Sequence, residues 1–345
     1  MMNVKGLATG IGSLPFLDAQ KAVDLVLRYL PCVPFWPQLP KCDMREGMIT
    51  QFSENLPGLK VDARGVLRFA PVDKEKELEI FYERFIEQDL SYFKLSPDFA
   101  RGLYAFYQRL KEADLSKIEF IKCQVTGPFT FCSGINDPEG KTILHDKVLM
   151  QAMTKGLNMK ALWQLDYFKA FGKKIIMFFD EPYLTSVGSA YTPVNRNDVI
   201  DVFSELTEGL RASGCLVGIH CCGNTDWSML MDAEGIDIIN FDAFEFQERF
   251  VLYADDLNKF LKKGGIICWG IVPTQNYTSS QSPEELTRKI KSGLDILVKK
   301  GINRQLLLER LMISPACGLG TLDAQKAEGI LGLLNQTSEF IHKNL

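Results

Sequence analysis

Short apolar runs alternate with amphipathic helical patterns along almost the whole chain, and that alternation limits its fold more than any other feature. The runs read as strands cover Leu7–Leu14, Phe120–Val125, Lys174–Phe179, Leu216–His220, Ile236–Phe241, Gly265–Trp269 and Leu311–Ser314. Between them, Asp198–Leu210 places Val199, Val202, Phe203, Leu206 and Leu210 on one stripe, which is helical spacing. Ser282, Pro283, Glu284 and Glu285 form a helix start, with Gly301 as its stop. Thr321–Asn344 reads as a final amphipathic helix. Strand–helix–strand repetition implies a parallel sheet covered on both faces. Seven runs are clear, and an eighth is expected near Val33–Leu39, where Pro34, Pro37 and Pro40 obscure it. The expected fold is therefore α/β, a single (β/α)8 TIM barrel over residues 1–345 with an elaborated N-terminal region from Pro34 to Asp98. A doubly wound open sheet is the alternative, but no Gly-rich nucleotide fingerprint follows any strand.

Composition narrows the class of partner. The 345 residues carry a net charge of −4, which gives no basic footprint for nucleic acid and no polybasic membrane patch. No run of about 18 apolar residues marks a membrane span. Residues 1–6 lack the apolar core of a signal peptide. Nine cysteines without a secretion signal point to a reducing cytoplasm, where thiols serve as ligands or core residues.

Chemistry in a barrel sits at the C-terminal ends of the strands, and the polar residues of this chain gather there repeatedly. Thr9-Gly10-Ile11-Gly12-Ser13-Leu14-Pro15 ends the first run, Thr126-Gly127-Pro128 another, and Asp180-Glu181-Pro182 a third. His220-Cys221-Cys222-Gly223-Asn224 follows a buried run, then Asp242 and Glu245, then Cys317 in Ala316-Cys317-Gly318-Leu319. On a strand, residues i and i+2 share a face. His220 and Cys222 can therefore meet at one point while Cys221 faces away. Imidazole and thiolate are preferred ligands of Zn²⁺. Taken singly, Asp-Glu-Pro reads as a helix start, Thr-Gly-Pro as a turn, and His-x-Cys equally well as an inert strand end.

The ordered set Ile-Gly-Ser-x-Pro, Thr-Gly-Pro, Asp-Glu-Pro, His-x-Cys and Cys-Gly-Leu, spanning Thr9 to Thr321, resembles the catalytic half of cobalamin-independent methionine synthase. More broadly it resembles the superfamily that also holds corrinoid-dependent thiol methyltransferases and uroporphyrinogen decarboxylase. The resemblance implies a (β/α)8 barrel and a zinc-dependent methyltransferase of methionine biosynthesis. It implies that His220, Cys222 and Cys317 hold Zn²⁺, with Asp242 at the position of the fourth ligand and Glu245 as its nearby substitute. Ile11 and Ser13 match the positions that hold the substrate's carboxylate end. Asp180, expected in the catalytic role, matches a carboxylate that binds the substrate's amino group. Gln38 falls where the family has a second amino-binding glutamate, which removes one charge and leaves open another small thiol as acceptor.

The methyl donor implied is a methyl-folate or a methyl-corrinoid, the latter free or on a corrinoid protein. A chain of this length leaves no room for the family's second, folate-assisting barrel, and Gly223-Asn224 is closer to the corrinoid and decarboxylase branches. The alternatives are a zinc-free lyase like the decarboxylase, whose N-terminal arginine signature is absent, and a non-catalytic methyl-carrier binding protein. Trp36, Trp269 and Phe35 read as packing aromatics or as walls for a flat donor. Cys32, Cys42, Cys123, Cys132, Cys215 and Cys268 read as core or isolated thiols, and His145 and His342 as surface residues.

Overall fold

A computed structural model describes residues 3–189, 192 and 194–345. Its main sheet comprises seven parallel strands, β1 (Leu7–Ala8), β4 (Phe120–Thr126), β5 (Lys174–Asp180), β6 (Leu216–Cys221), β7 (Ile238–Phe241), β8 (Ile266–Val272) and β9 (Leu311–Pro315). They lie in the order β1-β9-β8-β7-β6-β5-β4. A separate antiparallel ribbon pairs β2 (Leu59–Val61) with β3 (Leu67–Phe69). The central strands are buried along nearly their whole length, as expected for a sheet with helices outside and a packed interior. Helices start where the sequence supplies caps. Asn195 and Asp198 form a reciprocal capping box for Arg196–Ala212, and Ser282 accepts the Glu285 N–H at the head of Pro283–Lys299. Gly301 takes φ +95° just after that helix. The last helix begins at Ala324 under an Asp323 cap rather than at Thr321.

Two departures from the sequence reading concern the same seam. The run Leu7–Leu14 is a strand only at Leu7–Ala8, because it serves two neighbours in succession. Thr9 N–H still donates to Ile313 of β9, but Gly12 C=O then accepts from Gln38 N–H and Leu14 N–H donates to Gln38 C=O. The switch falls at Gly10, where a Cβ would stand 2.2 Å from the Phe35 ring. The segment from Val33 to Leu39 lies between β1 and β4 but forms no eighth strand. It makes single parallel bridges, Phe35 with Lys122 and Ser13 with Gln38. Pro34 and Pro37 have no N–H to give to a ladder. The sheet is thus a curled seven-stranded half-barrel.

Side chains replace the missing rungs. Trp36 Nε1 donates to Gln164 Oε1 at 2.9 Å, Gln164 Nε2 to the Gln124 carbonyl at 3.1 Å, and Gln124 Nε2 back to the Trp36 carbonyl at 2.9 Å. All three residues are fully buried. Gln164→Leu strips the partner from the Trp36 indole and the Gln124 carbonyl together. It is expected to cost about 1–3 kcal/mol of stability, read as a lower urea midpoint at unchanged slope. A shift below about 0.5 kcal/mol, the range of neutral surface changes, would contradict the role given to the ring.

The N-terminal elaboration is the 3₁₀ turns Met44–Glu46 and Thr50–Phe52, the β2–β3 ribbon and helix Lys74–Ile86. Leu56 and Phe81 from this region pack over Gly156 of helix Lys147–Phe168, where a Cβ would stand 2.3 Å from a Leu56 methyl. Trp36, Phe35 and Trp269 are all buried and behave as packing aromatics. Among the described residues no helix is long and apolar enough to cross a membrane.

Candidate metal centre

Strands β5, β6 and β7 end side by side, with Asp180 level with His220 and His220 level with Asn240. Cys222 lies just beyond β6, and Cys317 two residues beyond β9. A register shift between Gly270 and Val272 of β8 lets Ala316 N–H reach the Val272 carbonyl at 2.8 Å, turning the chain so that Cys317 faces the mouth. A side chain at Gly270 would collide with the Phe241 carbonyl at 2.5 Å. As a result one ligand atom each from His220, Cys222 and Cys317 lies within 4.8 Å of the others. Cys221 is buried on the far face, its sulfur 3.7 Å from the Gly223 carbonyl. The hydrogen bond between the two mouth-facing thiols lowers the pKa of Cys222 and raises that of Cys317. One imidazole and two thiols form a soft donor set that suits zinc.

These three residues form one wall of a mouth cavity of about 480 Å³. Ile11, Ser13, Gln38 and Asp180 also line it. Asp180 Oδ1 is buried with no hydrogen-bond partner, and burial raises the carboxyl's pKa against the opposing pull of Lys122 and His220. Ile11 and Ser13 line the cavity, and in this segment the N–H groups of Ile11, Gly12 and Ser13 have no protein acceptor among the described residues. Ser13 is tied to the Cys317 loop, its carbonyl accepting from Leu319 N–H at 3.0 Å and its hydroxyl from Gly320 N–H at 3.2 Å.

Asp242 stands outside this group. Its carboxylate caps helix Ala243–Phe250 by accepting from Glu245 N–H at 2.9 Å, and burial pushes its pKa up to about 6. It lines a neighbouring recess of about 340 Å³ with Phe244, Glu245 and Phe246, which meets the mouth cavity at Gln275. A larger hollow of about 600 Å³ lies at the opposite end of the strands, around Lys174 and Cys215. It brings no such ligand group together among the described residues, and the N-terminal strand ends of barrel-like folds are not where chemistry sits.

Three buried polar residues of the site were not singled out from the sequence. Lys122 is fully buried, donates to the Ile11 carbonyl and to Gln124 Oε1 at 3.1 Å, and lies 5.1 Å over the Phe178 ring. Burial lowers its pKa to about 8. Because C=O and N–H of a trans peptide point opposite ways, a carbonyl of Ile11 drawn inward turns the Gly12 N–H toward the mouth. A lysine inside the apolar run Phe120–Val125 was the available signal. Asn240, an amide inside Ile238-Ile239-Asn240-Phe241, holds His220 Nδ1 at 2.6 Å. Glu46, which lines the mouth and is 1% exposed, accepts from Leu39 N–H at 3.1 Å and Arg101 N–H at 3.4 Å, and nothing in its sequence setting marks it.

Burial raises Glu46 to about 7, although those N–H groups pull the other way. A carboxyl raised in the folded state keeps its proton there while the unfolded chain loses it. The Glu46 contribution to stability is therefore full below about pH 4.5, falls as pH rises toward about 7, and is level above, by on the order of 3 kcal/mol. Urea midpoints between pH 4 and 8 are expected to show a fall to which Glu181, raised by burial to about 7, and Asp242 also contribute, and Glu46→Gln to remove the Glu46 share of it. An equal fall in the variant would assign it to another group.

A family model described as the catalytic domain of cobalamin-independent synthase matches residues 106–339. No curated protein matches the chain. Among solved structures, Dispersin B is 11% identical, with 97% of this chain and 98% of that chain covered and a TM-score of 0.42. Dihydropteroate synthase from Thermus thermophilus, in complex with 6HMPPP, is 12% identical, with 70% of this chain and 90% of that chain covered and a TM-score of 0.22. At TM-scores this low neither likeness carries an argument.

Proposed function

Because the chain belongs to the cobalamin-independent synthase catalytic-domain family, a methyltransferase-type enzyme domain, we propose that it is a zinc-dependent methyltransferase acting on a small thiol, homocysteine or a close relative. One observation carries the reading. A three-donor soft ligand group, a residue with an unpartnered buried carboxylate oxygen, and Ile11 and Ser13, whose N–H groups have no protein acceptor among the described residues, line one cavity. His220, Cys222 and Cys317 would hold Zn²⁺, and with Asp242 capping its helix they would leave room for the substrate thiol beside them. Held there, a thiol with a pKa of about 8.5 would be thiolate at neutral pH.

The chain's own groups fix the rest of the substrate. Asp180 Oδ1 accepts from the amino group, and the N–H groups of Ile11 to Ser13 donate to the carboxylate, with Ser13 held in place by the Cys317 loop. Gln38 adds an uncharged acceptor. Its Nε2 is committed to Gln51 Oε1 at 2.7 Å, and Gln51 Nε2 to the Phe99 carbonyl, so Oε1 of Gln38 is the atom left free. The thiol proton passes to solvent, and the sulfur lone pair forms the S–CH₃ bond as the donor–CH₃ bond breaks, its electron pair staying with the donor, where a folate nitrogen takes up a proton from solvent and a corrinoid keeps the pair on its metal. The donor is a methyl-folate or a methyl-corrinoid that presents its methyl group at the mouth, which the recess beside Asp242 and Phe244 adjoins at Gln275.

The same reading makes the chain a single domain over residues 1–345, with the Val33–Leu39 segment closing the half-barrel as an eighth stave. It also suits the cytoplasm, since all nine cysteines are unpaired.

The test is turnover by zinc-loaded protein with methylcobalamin or methyl-folate and a panel of small thiols. S-methylated product, lost on chelation and restored by zinc, is expected. Less than about half an equivalent of zinc, not raised by reconstitution, would favour the zinc-free lyase. Full zinc loading with no transfer to any thiol would favour a methyl-carrier binding protein.

A further inference from the structure

The proton on His220 is decided by residues outside the ligand group. Asn240 Nδ2 lies 2.8 Å from the Cys268 carbonyl and 2.8 Å from Ser314 Oγ. A carbonyl can only accept, so the Asn240 nitrogen must face it and the Asn240 oxygen must face His220. Ser314 agrees, because its hydroxyl proton goes to the Pro315 carbonyl at 2.9 Å and leaves a lone pair for the amide. Asn240 Oδ1 sits 2.6 Å from His220 Nδ1. In neutral imidazole one nitrogen donates and the other accepts. The proton therefore belongs on Nδ1, and Nε2, which keeps its lone pair, is the nitrogen left for the group that His220 forms with Cys222 and Cys317. The flipped amide would set two oxygens against each other at 2.8 Å in a fully buried place, at the cost of an unpaired group.

We propose that Asn240 is a positioning residue of the metal centre, fixing the tautomer and ring orientation of His220 and tying its strand to the strand that carries Cys317. The tie is direct. Asn240 lies level with His220 on β6 and Cys268 on β8, and its second hydrogen bond reaches Ser314 of β9, three residues before Cys317. The buried amide spans four strands and sets both ligand-bearing ends relative to one another. The proposal rests on the zinc reading for its purpose but not for its geometry, and the two parts separate experimentally.

Nitrogen-15 NMR of metal-free protein, which has only three histidines, reads the tautomer without any metal or activity. At a pH high enough to leave the ring neutral, wild-type His220 is expected to carry its proton on Nδ1. Asn240→Leu is expected to release the ring to a mixture of tautomers and to raise the zinc Kd about 10- to 100-fold. Ser314→Ala, which leaves the Cys268 carbonyl to orient the amide, is expected to keep the tautomer with a loss below about 10-fold. A wild-type Nε2–H tautomer overturns the inference alone, as does an Asn240→Leu protein with unchanged zinc Kd. Should Asn240→Leu not fold, the wild-type spectrum and the Ser314→Ala Kd still decide. A wild type with the expected tautomer that takes up no zinc contradicts the metal reading instead.

Discussion

Cys317→Ser and His220→Ala are each expected to weaken zinc binding by at least about 100-fold and to abolish methyl transfer, while Cys221→Ser leaves both nearly unchanged. Apparent zinc binding energies of about 10–16 kcal/mol are shared among four ligands, so one ligand is worth roughly 3 kcal/mol, or about two decades in Kd. The contrast comes from strand geometry. His220 and Cys222 share the face toward Cys317, whereas Cys221 lies between them on the buried outer side. Competition with a chromophoric chelator measures all three Kd values on the same scale. Equal losses in the three variants would remove the face argument, since Cys221 would then be as much a ligand as its neighbours.

Asp180→Asn is expected to lower kcat/KM for an amino-acid thiol on the order of 10²- to 10³-fold without changing zinc content. The Oδ1 atom is buried and has no protein donor. The change keeps the shape of the site and removes the charge that would meet an ammonium. Losing one partner of a buried charge pair costs about 2–5 kcal/mol, and each 1.4 kcal/mol is about tenfold. The control is a thiol of similar length without an amino group, which should be turned over equally by both proteins. If the variant loses as much with the amino-free thiol, Asp180 acts on the reacting centre and not on the amino group.

The parts of this molecule legible in its sequence are those set by local chemistry. Apolar runs such as Lys174–Phe179 and Gly265–Trp269 mark strands because a buried parallel strand needs apolar residues on both faces. Ser282 and Gly301 mark helix ends because caps are local, whereas the Asn195 cap, three residues before the apolar stripe read from Asp198, was not seen. Ile11, Ser13, Gln38, Asp180, His220, Cys222 and Cys317 share one cavity because strand ends meet at one rim. What stayed hidden depends on partners far apart in the chain. The reach of Asp242 was one such case, since an Asp two residues past Asn240 serves equally as ligand or helix cap, and here it caps. The split of Leu7–Leu14 between β9 and Gln38 was another, because nothing local says that a run changes neighbour at Gly10. Lys122 and Asn240 were visible as polar breaks in apolar strands, but their targets, the Ile11 carbonyl and His220, are not neighbours in sequence. Glu46 carries no local mark at all, since the N–H groups that meet its buried carboxylate belong to Leu39 and to Arg101, the latter 55 residues away.

Zinc-edge X-ray absorption of the loaded protein, before and after a thiol substrate is added, reads the ligand set and its exchangeable position together. Two sulfurs and one imidazole nitrogen, with a light atom as fourth neighbour, are expected in the free protein. A third sulfur at about 2.3 Å should replace the light atom when the thiol binds. A first shell with fewer than two sulfurs, or one that does not change when the thiol is bound, would contradict a zinc site built by His220, Cys222 and Cys317 to activate a thiol.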